Sequence, residues 1–317
     1  MRTMLNLTLR SRLNKLKSKL NIAPYEKASE TAGRIHFMNT SFSDAILLES
    51  NGHFALIDAA EDSDNPRGFP ALDYRGYEDR VLAYLKENAA DKNGKVFLDF
   101  VLGTHSHSDH IGGFDTVIDD PDIEIGRAYL KKYDASGIRS YEVEKWDNQE
   151  VYDQMKNALD KKGVPIISDM DGDPFMLGDF KITLFNTDDP VGETDVGEND
   201  NSLGVLVEQS GASVFLAGDI DNISGDEDRL APQIGKVDIL KVGHHSYAAS
   251  TSENWLKTLN PKVCVVTNDY KYADKNTLKR IIKTVHSPIL LTGMESGIVI
   301  QIDKNGKIIF FNDIHNK

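Results

Sequence analysis

The chain has 317 residues, 40% of them hydrophobic, which is enough to bury the core of one large domain or of two small ones. Its single cysteine, Cys264, excludes both an intrachain disulfide and a cysteine-rich structural zinc site. The formal net charge of −14 disfavours nucleic acid as a partner, and no apolar run is long enough to span a membrane.

Residues 1–30 are predicted to form a basic N-terminal leader, separate from a second unit over residues 31–317. Leucines recur in the leader at helical spacing, and residues 1–20 contain six basic and no acidic residues. This pattern suits peripheral contact with an anionic membrane or a partner protein, and an ordinary surface helix is the alternative. Because no signal-peptide pattern is present, the cytoplasm is the favoured compartment.

Apolar periodicity and turn residues predict a mixed order of elements in the second unit. Strands are predicted over residues 34–39, 45–49, 53–58, 96–103, 180–186, 202–208, 213–217, 237–242, 263–267, 298–303 and 307–311. Helices are predicted over residues 78–88, 149–162, 252–259 and 275–284. Asn51-Gly52 predicts a β-hairpin turn, whereas residues 61–76 and the acidic segment 187–201 are predicted loops. Two mixed halves, with sheets face to face and helices outside, satisfy this order.

The strongest chemical signal follows the predicted strand that ends at Gly103. His105, His107, Asp109 and His110 lie within six residues. Imidazole nitrogen suits zinc and similar first-row metals, and a carboxylate adds a harder oxygen ligand. Alternate residues of an extended loop point the same way, so His105 and His107 are predicted to share one metal. Asp109 and His110 are predicted to turn toward a second metal.

Two later strands end in the same way, with a glycine followed by a metal-binding residue type. Asp219 follows Gly218, and its carboxylate is able to bridge two metals. His244 and His245 follow Gly243 and supply a further imidazole.

In order and context these three motifs resemble the metallo-β-lactamase superfamily over about residues 34–312. The resemblance implies an α/β fold, a four-layer αββα sandwich with two divalent metals at one edge, and a catalytic domain over residues 31–317. It places Asp58 behind the metal ligands as their support. Zinc is the expected metal, with manganese or iron as alternatives. The implied ligands are His105, His107 and Asp219 for the first metal, and Asp109, His110, Asp219 and His245 for the second.

The chain departs from many members of that superfamily in one respect. No histidine occurs between His110 and His244, where those members carry a further metal-binding histidine. This departure disfavours the glyoxalase-like, lactonase-like and zinc β-lactamase members.

A narrower resemblance, to the catalytic module of the streptococcal (teichoic-acid) phosphorylcholine esterase, extends over residues 43–55, 129–133, 218–222 and 234–238. It implies that water activated by two metals hydrolyses a small phosphoester or a choline-containing substrate. It also implies an extracellular location, by analogy with that relative. His245 is then a metal ligand, His244 faces the phosphate, and Asp109 and Asn201 complete the implied catalytic contacts. An aromatic cage for choline would come from Phe69, Tyr74, Tyr77 or Tyr247.

Two other functions and one further metal are open alternatives. The Asn-rich segment before Leu203 and the His-His-Ser sequence also resemble the nuclease-type domain of DNA-uptake proteins. A binding or sensing protein that has kept a metal site without catalysis is the third reading. The acidic loop of Glu61, Asp62, Ser63, Asp64 and Asn65 suits a structural calcium with Asp221, although a solvated loop is the favoured interpretation.

Overall fold

Two β-sheets lie face to face in the computed structural model, which describes residues 2–27, 32–63, 74–188 and 196–315, and only the backbone of residues 2–7. Within these ranges the helices are α1 (Arg2–Lys17), α2 (Glu78–Asn88), α3 (Ser108–Ile111), α4 (Phe114–Asp119), α5 (Ser140–Lys145), α6 (Asn148–Lys162), α7 (Asp226–Ile234), α8 (Glu253–Leu259), α9 (Lys275–Thr284) and α10 (Thr292–Glu295).

The strands are β1 (Ile22–Pro24), β2 (Gly33–Phe37), β3 (Ala45–Ser50), β4 (His53–Ala59), β5 (Val96–Leu98), β6 (Phe100–Gly103), β7 (Ile123–Ile125), β8 (Ala128–Leu130), β9 (Ile166–Ile167), β10 (Phe175–Leu177), β11 (Phe180–Phe185), β12 (Gly204–Gln209), β13 (Ala212–Leu216), β14 (Ile239–Lys241), β15 (Val263–Val266), β16 (Ile289–Leu291), β17 (Ile298–Ile302) and β18 (Ile308–Asn312). The first sheet has the order β1-β18-β17-β2-β3-β4-β6-β8-β9, the second runs from β10 to β16 in sequence order, and β5 pairs separately with β7.

Inner strands of the first sheet, such as β2, β3 and β6, bury both of their faces, and their alternate side chains belong to different cores. In β3 and β4, Ile46 and Ile57 pack between the sheets, whereas Leu47 and Leu56 pack toward α2, α4 and α6. A third core lies outside the second sheet, where Phe215 packs with residues of α7, α8 and α9. The predicted four-layer αββα sandwich is therefore confirmed.

Several predicted elements are confirmed, and one is wrong. Asn51 and Gly52 both have positive φ and close the β3–β4 hairpin, as the Asn-Gly pair predicts. Helices α2, α6, α8 and α9 form where apolar periodicity placed them. The single strand predicted over 96–103 is instead β5 and β6, which belong to different sheets. The break falls at Asp99, whose carboxylate accepts hydrogen bonds from the backbone of Phe54 and from His53.

The N-terminal segment, predicted as a separate leader, packs directly on the second unit. Leu9 and Leu13 of α1 are buried in the core outside the second sheet, and β1 pairs in parallel with β18. The apolar side chains of Leu9 and Leu13 therefore contact the protein's own core. In the described part of the chain, no helix is both long and apolar enough to cross a membrane.

The environment of His315, the last described residue, predicts a pH-dependent stability. Burial, followed by the charge of Arg80, lowers the pKa of His315 from its usual 6.5 to about 4, and its Nε2 accepts a hydrogen bond from Asn39 N. Because the folded pKa is depressed, the stabilisation is present above pH 6.5 and is lost as pH falls toward 4. The free energy of unfolding of the wild type should fall over this interval. In His315→Gln, whose side chain cannot titrate, we expect that fall to be smaller by on the order of 2 kcal/mol.

Urea unfolding at pH 7 and pH 4.5 measures this difference. His53→Gln is the matched control, because the His53 side chain is 52% exposed. An equal loss in the wild type and in His315→Gln would contradict the assignment.

Candidate metal centre

The predicted metal-binding residues meet because four strands end at the same edge of the sandwich. In the first sheet β4 and β6 run parallel and lead to Asp58 and to the segment that begins at His105. In the second sheet β13 and β14 run parallel and lead to Asp219 and His245. Residues far apart in sequence are thereby brought together between the sheets.

Unusual backbone conformations position the two motifs of the second sheet, Gly218-Asp219 and Gly243-His244-His245. His244 and His245 both have φ of +45°, and Gly218 has φ of +51°. A side chain at Gly243 would collide with the carbonyl oxygen of Ile220. The glycines before Asp219 and His244 therefore allow these sharp turns at the strand ends.

One group of four ligand atoms matches the predicted second metal. Single atoms from Asp109, His110, Asp219 and His245 all lie within 4.8 Å of one another. Asp219 Oδ1 is 3.2 Å from His110 Nε2 and 3.4 Å from His245 Nε2. Three of these residues are buried, and Asp109 is partly exposed toward the cavity. A carboxylate and imidazole set of this kind suits zinc, manganese or iron.

The hydrogen bonds made by Nδ1 of His110 and of His245 show why this group of four residues fits a metal. His110 Nδ1 donates to Asp58 Oδ2 at 2.8 Å, and His245 Nδ1 donates to Thr267 O at 3.2 Å. In the neutral form of each ring the lone pair would then lie on Nε2, and the two Nε2 atoms lie 3.1 Å apart. Two Nε2 atoms facing each other beside a carboxylate suit a shared cation. Asp58 also accepts the backbone N–H of Thr104 at 2.8 Å, so its orientation is fixed.

The predicted first metal has a second pair of histidine nitrogens. His105 Nε2 and His107 Nδ1 lie 3.0 Å apart, and the other nitrogen of His105 is 3.1 Å from Ser202 Oγ. Ser202 Oγ also accepts the backbone N–H of Asp219 at 3.1 Å, which links this pair to the backbone of Asp219. Glu142 Oε2 lies 3.9 Å from the far nitrogen of His107. The structure thus brings all six predicted ligands together, and their assignment to two metals stays a prediction.

The electrostatics of the cluster favour bound cations. Burial, followed by the neighbouring His110 and His107, holds the pKa of His105 well below its usual value and keeps it neutral. Burial raises the pKa of Asp219, but the imidazoles of His245 and His110 outweigh burial and hold it well below the usual range. Burial lowers the pKa of His110 and of His245, but the Asp219 carboxylate outweighs burial and raises both, so a bound metal ion would displace a proton from each ring.

A cavity of about 280 Å³ opens over the cluster. Its aromatic lining is Phe42, Tyr74, Trp146, Tyr247 and Tyr272, and its carboxylates include Glu61 and Asp274. The Trp146 ring lies 4.8 Å from the His107 ring. Of the predicted cage, Tyr74 and Tyr247 line the cavity, Tyr77 is instead stacked beneath Arg75 and Arg80, and Phe69 lies outside the described residues.

The two predicted phosphate contacts occupy different positions. His244 lines the cavity, with Nε2 3.7 Å from Asp219 Oδ2 and Nδ1 3.2 Å from Asp221 Oδ2. Asn201 donates to Glu198 at 2.9 Å and is not among the described residues that line the cavity. Asn199 of the same turn lies 3.3 Å from His244 Nδ1.

The predicted calcium ligands are described only in part. Asp64 and Asn65 lie outside the described residues. Asp221 Oδ1 accepts the backbone N–H of Ile223 at 2.8 Å, and Asp221 Oδ2 contacts His244.

A buried ion pair behind the cluster was not predicted from the sequence. Lys241 is fully buried in β14, where its ammonium forms an ion pair with Asp44 and donates to Gly218 O at 2.8 Å. Asp44 Oδ1 lies 3.5 Å from His245 Nδ1. The sequence contains one indication of this ion pair, which is a lysine within an otherwise apolar strand. A buried ammonium requires a carboxylate partner.

The fold and this cluster agree with the comparison with known proteins. The sequence pattern described as "Beta-lactamase superfamily domain" matches residues 56–251, which include every predicted metal ligand. The chain belongs to the metallo-β-lactamase superfamily. It is therefore a hydrolase of a superfamily whose fold implies divalent metal ions.

Two sequence relatives and one structure are similar to this superfamily member. ComE operon protein 3 of Bacillus subtilis is 26% identical over 217 residues, which are 67% of this chain and 24% of that protein. Recombination protein 2 of Haemophilus influenzae is 33% identical over 88 residues, or 26% of this chain and 11% of that protein. The metallo-β-lactamase fold protein YhfI from Bacillus subtilis has a TM-score of 0.52 at 13% identity, over 85% of this chain and 99% of its own.

These similarities differ in what they support. The chain spans about a quarter of the length of ComE operon protein 3, so the whole relative's role does not transfer to it. The likeness to YhfI shows the fold alone.

Proposed function

We propose that this superfamily member is a metal-dependent phosphodiesterase. The observation that supports the proposal most directly is the pair of histidine clusters joined by buried Asp219 beneath an open cavity. Two divalent cations at such a cluster supply Lewis acidity, which activates water and offsets the charge of phosphate oxygens. A phosphodiester suits this arrangement because it presents anionic oxygens to the cations.

Residues of the chain then orient the substrate. Asp221 accepts a hydrogen bond from His244 Nδ1, which fixes the ring with Nε2 beside Asp219 at the cavity. When protonated, His244 donates from Nε2 to a phosphate oxygen or to the leaving group. The Tyr247 ring, 4.6 Å from the His244 ring, supports the same orientation. The Asn199 amide nitrogen lies 3.3 Å from His244 Nδ1 and packs beside the same ring.

A small choline-containing phosphoester is the first substrate class that fits. The similarity to phosphorylcholine esterase segments motivates this substrate, and five aromatic rings with Glu61 and Asp274 line the cavity. Aromatic faces favour a quaternary ammonium by about 0.5–2 kcal/mol, or roughly 2- to 30-fold. A choline ester should then be cleaved faster than its ethanolamine analogue by a factor in this range.

Nucleic acid is the second substrate class, and the comparisons favour it. Neither sequence relative is named as a phosphorylcholine esterase. One of them is named for recombination, which is a reaction of nucleic acid. The sequence resemblance to nuclease-type domains of DNA-uptake proteins agrees with these relatives. The net charge of −14 opposes this class only if the charge is evenly distributed over the surface.

A substrate panel tests the proposed function. We expect chelator-treated protein to regain hydrolysis of bis-p-nitrophenyl phosphate when zinc or manganese is added. The panel also contains p-nitrophenyl phosphorylcholine, its ethanolamine analogue, an oligonucleotide, a β-lactam and a thioester. Absence of phosphodiester hydrolysis with every metal tested, alongside hydrolysis of a β-lactam or a thioester, would contradict the proposal. A metal-loaded protein that cleaves nothing would favour the binding or sensing alternative.

A further inference from the structure

Positive charge is concentrated on two helices outside the second sheet. Helices α1 and α9 contain nine basic residues and no acidic residue, although the chain as a whole carries −14. Both helices bury apolar side chains in the same core, through Leu9 and Leu13 of α1 and Leu278 and Ile281 of α9. The two helices therefore lie on the same outer side of an otherwise acidic protein.

One aromatic ring connects the two helices. The Arg10 guanidinium lies 5.7 Å from the Tyr270 ring centre, and the Lys275 ammonium lies 4.5 Å from the same centre. Tyr270 therefore holds α1 next to the beginning of α9.

Helix α9 begins at the wall of the metal cavity. Asp274, which lines the cavity, caps this helix by accepting the backbone N–H groups of Asn276 and Thr277. Arg280 donates to the carbonyl oxygen of Thr251 at 2.8 Å, in the loop that follows His245. The basic helix therefore extends away from the cavity mouth.

Six side chains on this face expose their charge to solvent. We define them as the basic ridge: Arg10, Arg12, Lys15, Lys271, Lys279 and Lys283. The remaining cations of the two helices include Lys17, paired with Glu295, and Lys275, which donates to backbone carbonyls. Glu253 lies near Lys283 but pairs with Lys257.

We propose that the basic ridge binds the phosphate backbone of a single-stranded nucleic acid whose reacting phosphodiester occupies the metal cavity. The inference rests on the proposed phosphodiesterase function and selects its substrate class. Lysine and arginine in a row neutralise successive phosphates, while the acidic remainder of the surface repels the strand elsewhere. Tyr247 and Tyr272 line the cavity and are 53% and 54% exposed, with His244 against Tyr247 and Lys271 over Tyr272, so unpaired bases are able to stack on their exposed sides. A duplex offers no free base faces for this stacking.

An anionic membrane is the competing partner for the same charges. Membrane helices of this type insert an apolar face, but Leu9 and Leu13 are only 4% and 2% exposed because they pack inside the protein. Among the described side chains of α1, Leu9 and Leu13 therefore offer no inserting face, which favours a polyanionic strand.

Charge reversal on the ridge tests the inference. The variant is Arg12→Glu/Lys279→Glu, and neither residue lines the cavity. Its matched control is Lys236→Glu/Lys304→Glu, which makes the same charge change at exposed positions. Lys236 precedes β14 and Lys304 follows β17, at strand ends opposite to the metal cluster. Fluorescence anisotropy measures binding of labelled oligothymidylate and oligouridylate to the full chain in chelator, so that cleavage does not consume the probe.

We expect the ridge variant to bind either oligonucleotide at least about tenfold more weakly at 0.1 M salt, with a salt slope shallower by about 1.4 for two lost phosphate contacts. The control should bind within about twofold of the wild type. After metal is restored, hydrolysis of bis-p-nitrophenyl phosphate should be equal in all three proteins, and only oligonucleotide cleavage should fall in the ridge variant.

Several outcomes would overturn the inference. Equal losses of binding in the ridge and control variants would indicate net charge rather than a defined surface. Loss of binding to phosphatidylglycerol vesicles with unchanged oligonucleotide binding would assign the ridge to lipid. Because anisotropy requires no catalysis, failure of the phosphodiesterase proposal would appear separately, as absent hydrolysis of the small ester despite intact strand binding.

Discussion

Asp219→Asn should lower phosphodiester hydrolysis by about a thousandfold or more, which corresponds to about 4 kcal/mol in activation free energy. Asp219 Oδ1 lies within 3.4 Å of Nε2 of both His110 and His245, and its backbone N–H is held by Ser202. A neutral amide at this position weakens both predicted metal sites at once, because the carboxylate is the group that they share. Steady-state kinetics with saturating zinc or manganese measures the loss.

Asp221→Asn is the comparison for this variant, because Asp221 lies two residues further along and contacts His244. We expect a smaller loss, since this change affects the orientation of His244 and removes no predicted ligand. Equal losses from the two substitutions would argue against a bridging role for Asp219.

His245→Ala and His244→Ala should separate metal binding from turnover. His245 belongs to the group of four ligand atoms, so its removal should reduce the metal content from about two ions to about one per chain. His244 lines the cavity with a 20% exposed side chain, so its removal should leave two metals in place. It should lower kcat by about 100-fold or more, the range for loss of a positioned proton donor.

Elemental analysis and kinetics on the same preparations check this pair of variants. Circular dichroism of each variant controls for folding. Metal loss in His244→Ala, with normal metal content in His245→Ala, would reverse the two assignments.

The metal cluster was predictable from sequence because its ligands follow strand ends in short motifs. The segment from His105 to His110 contains four predicted ligands, and glycine marks the turns before Asp219 and His244. Strand ends of an α/β sandwich converge at one edge, so local motifs were sufficient to place these residues together.

The surroundings of the cluster were not predictable in the same way. Asp44, Glu142 and Trp146 lie in segments without a motif, and only the folded chain brings them to His245 and His107. The cavity lining depends on loop conformation, which periodicity does not determine. Asp99 likewise divides a continuous apolar run, because its carboxylate binds the neighbouring hairpin.

The distribution of charge shows another limit of sequence reasoning. Net charge argued against nucleic acid, but it does not report where charges lie on a surface. The leader predicted over residues 1–30 contributes α1, and α9 lies more than 250 residues further along the chain. Only their shared core, through Leu13 and Leu278, places both basic helices on one face.

The ratio of bound metal to protein tests the central claim most directly. The full chain is stripped with chelator, reconstituted separately with zinc and with manganese, freed of excess metal by gel filtration and measured by elemental analysis. A hydrolase with His105 and His107 at one metal, Asp109, His110 and His245 at the other, and Asp219 at both should retain about two ions per chain with at least one of these metals. Retention of only traces of either metal would contradict the account, and a single ion per chain would contradict its two-metal site.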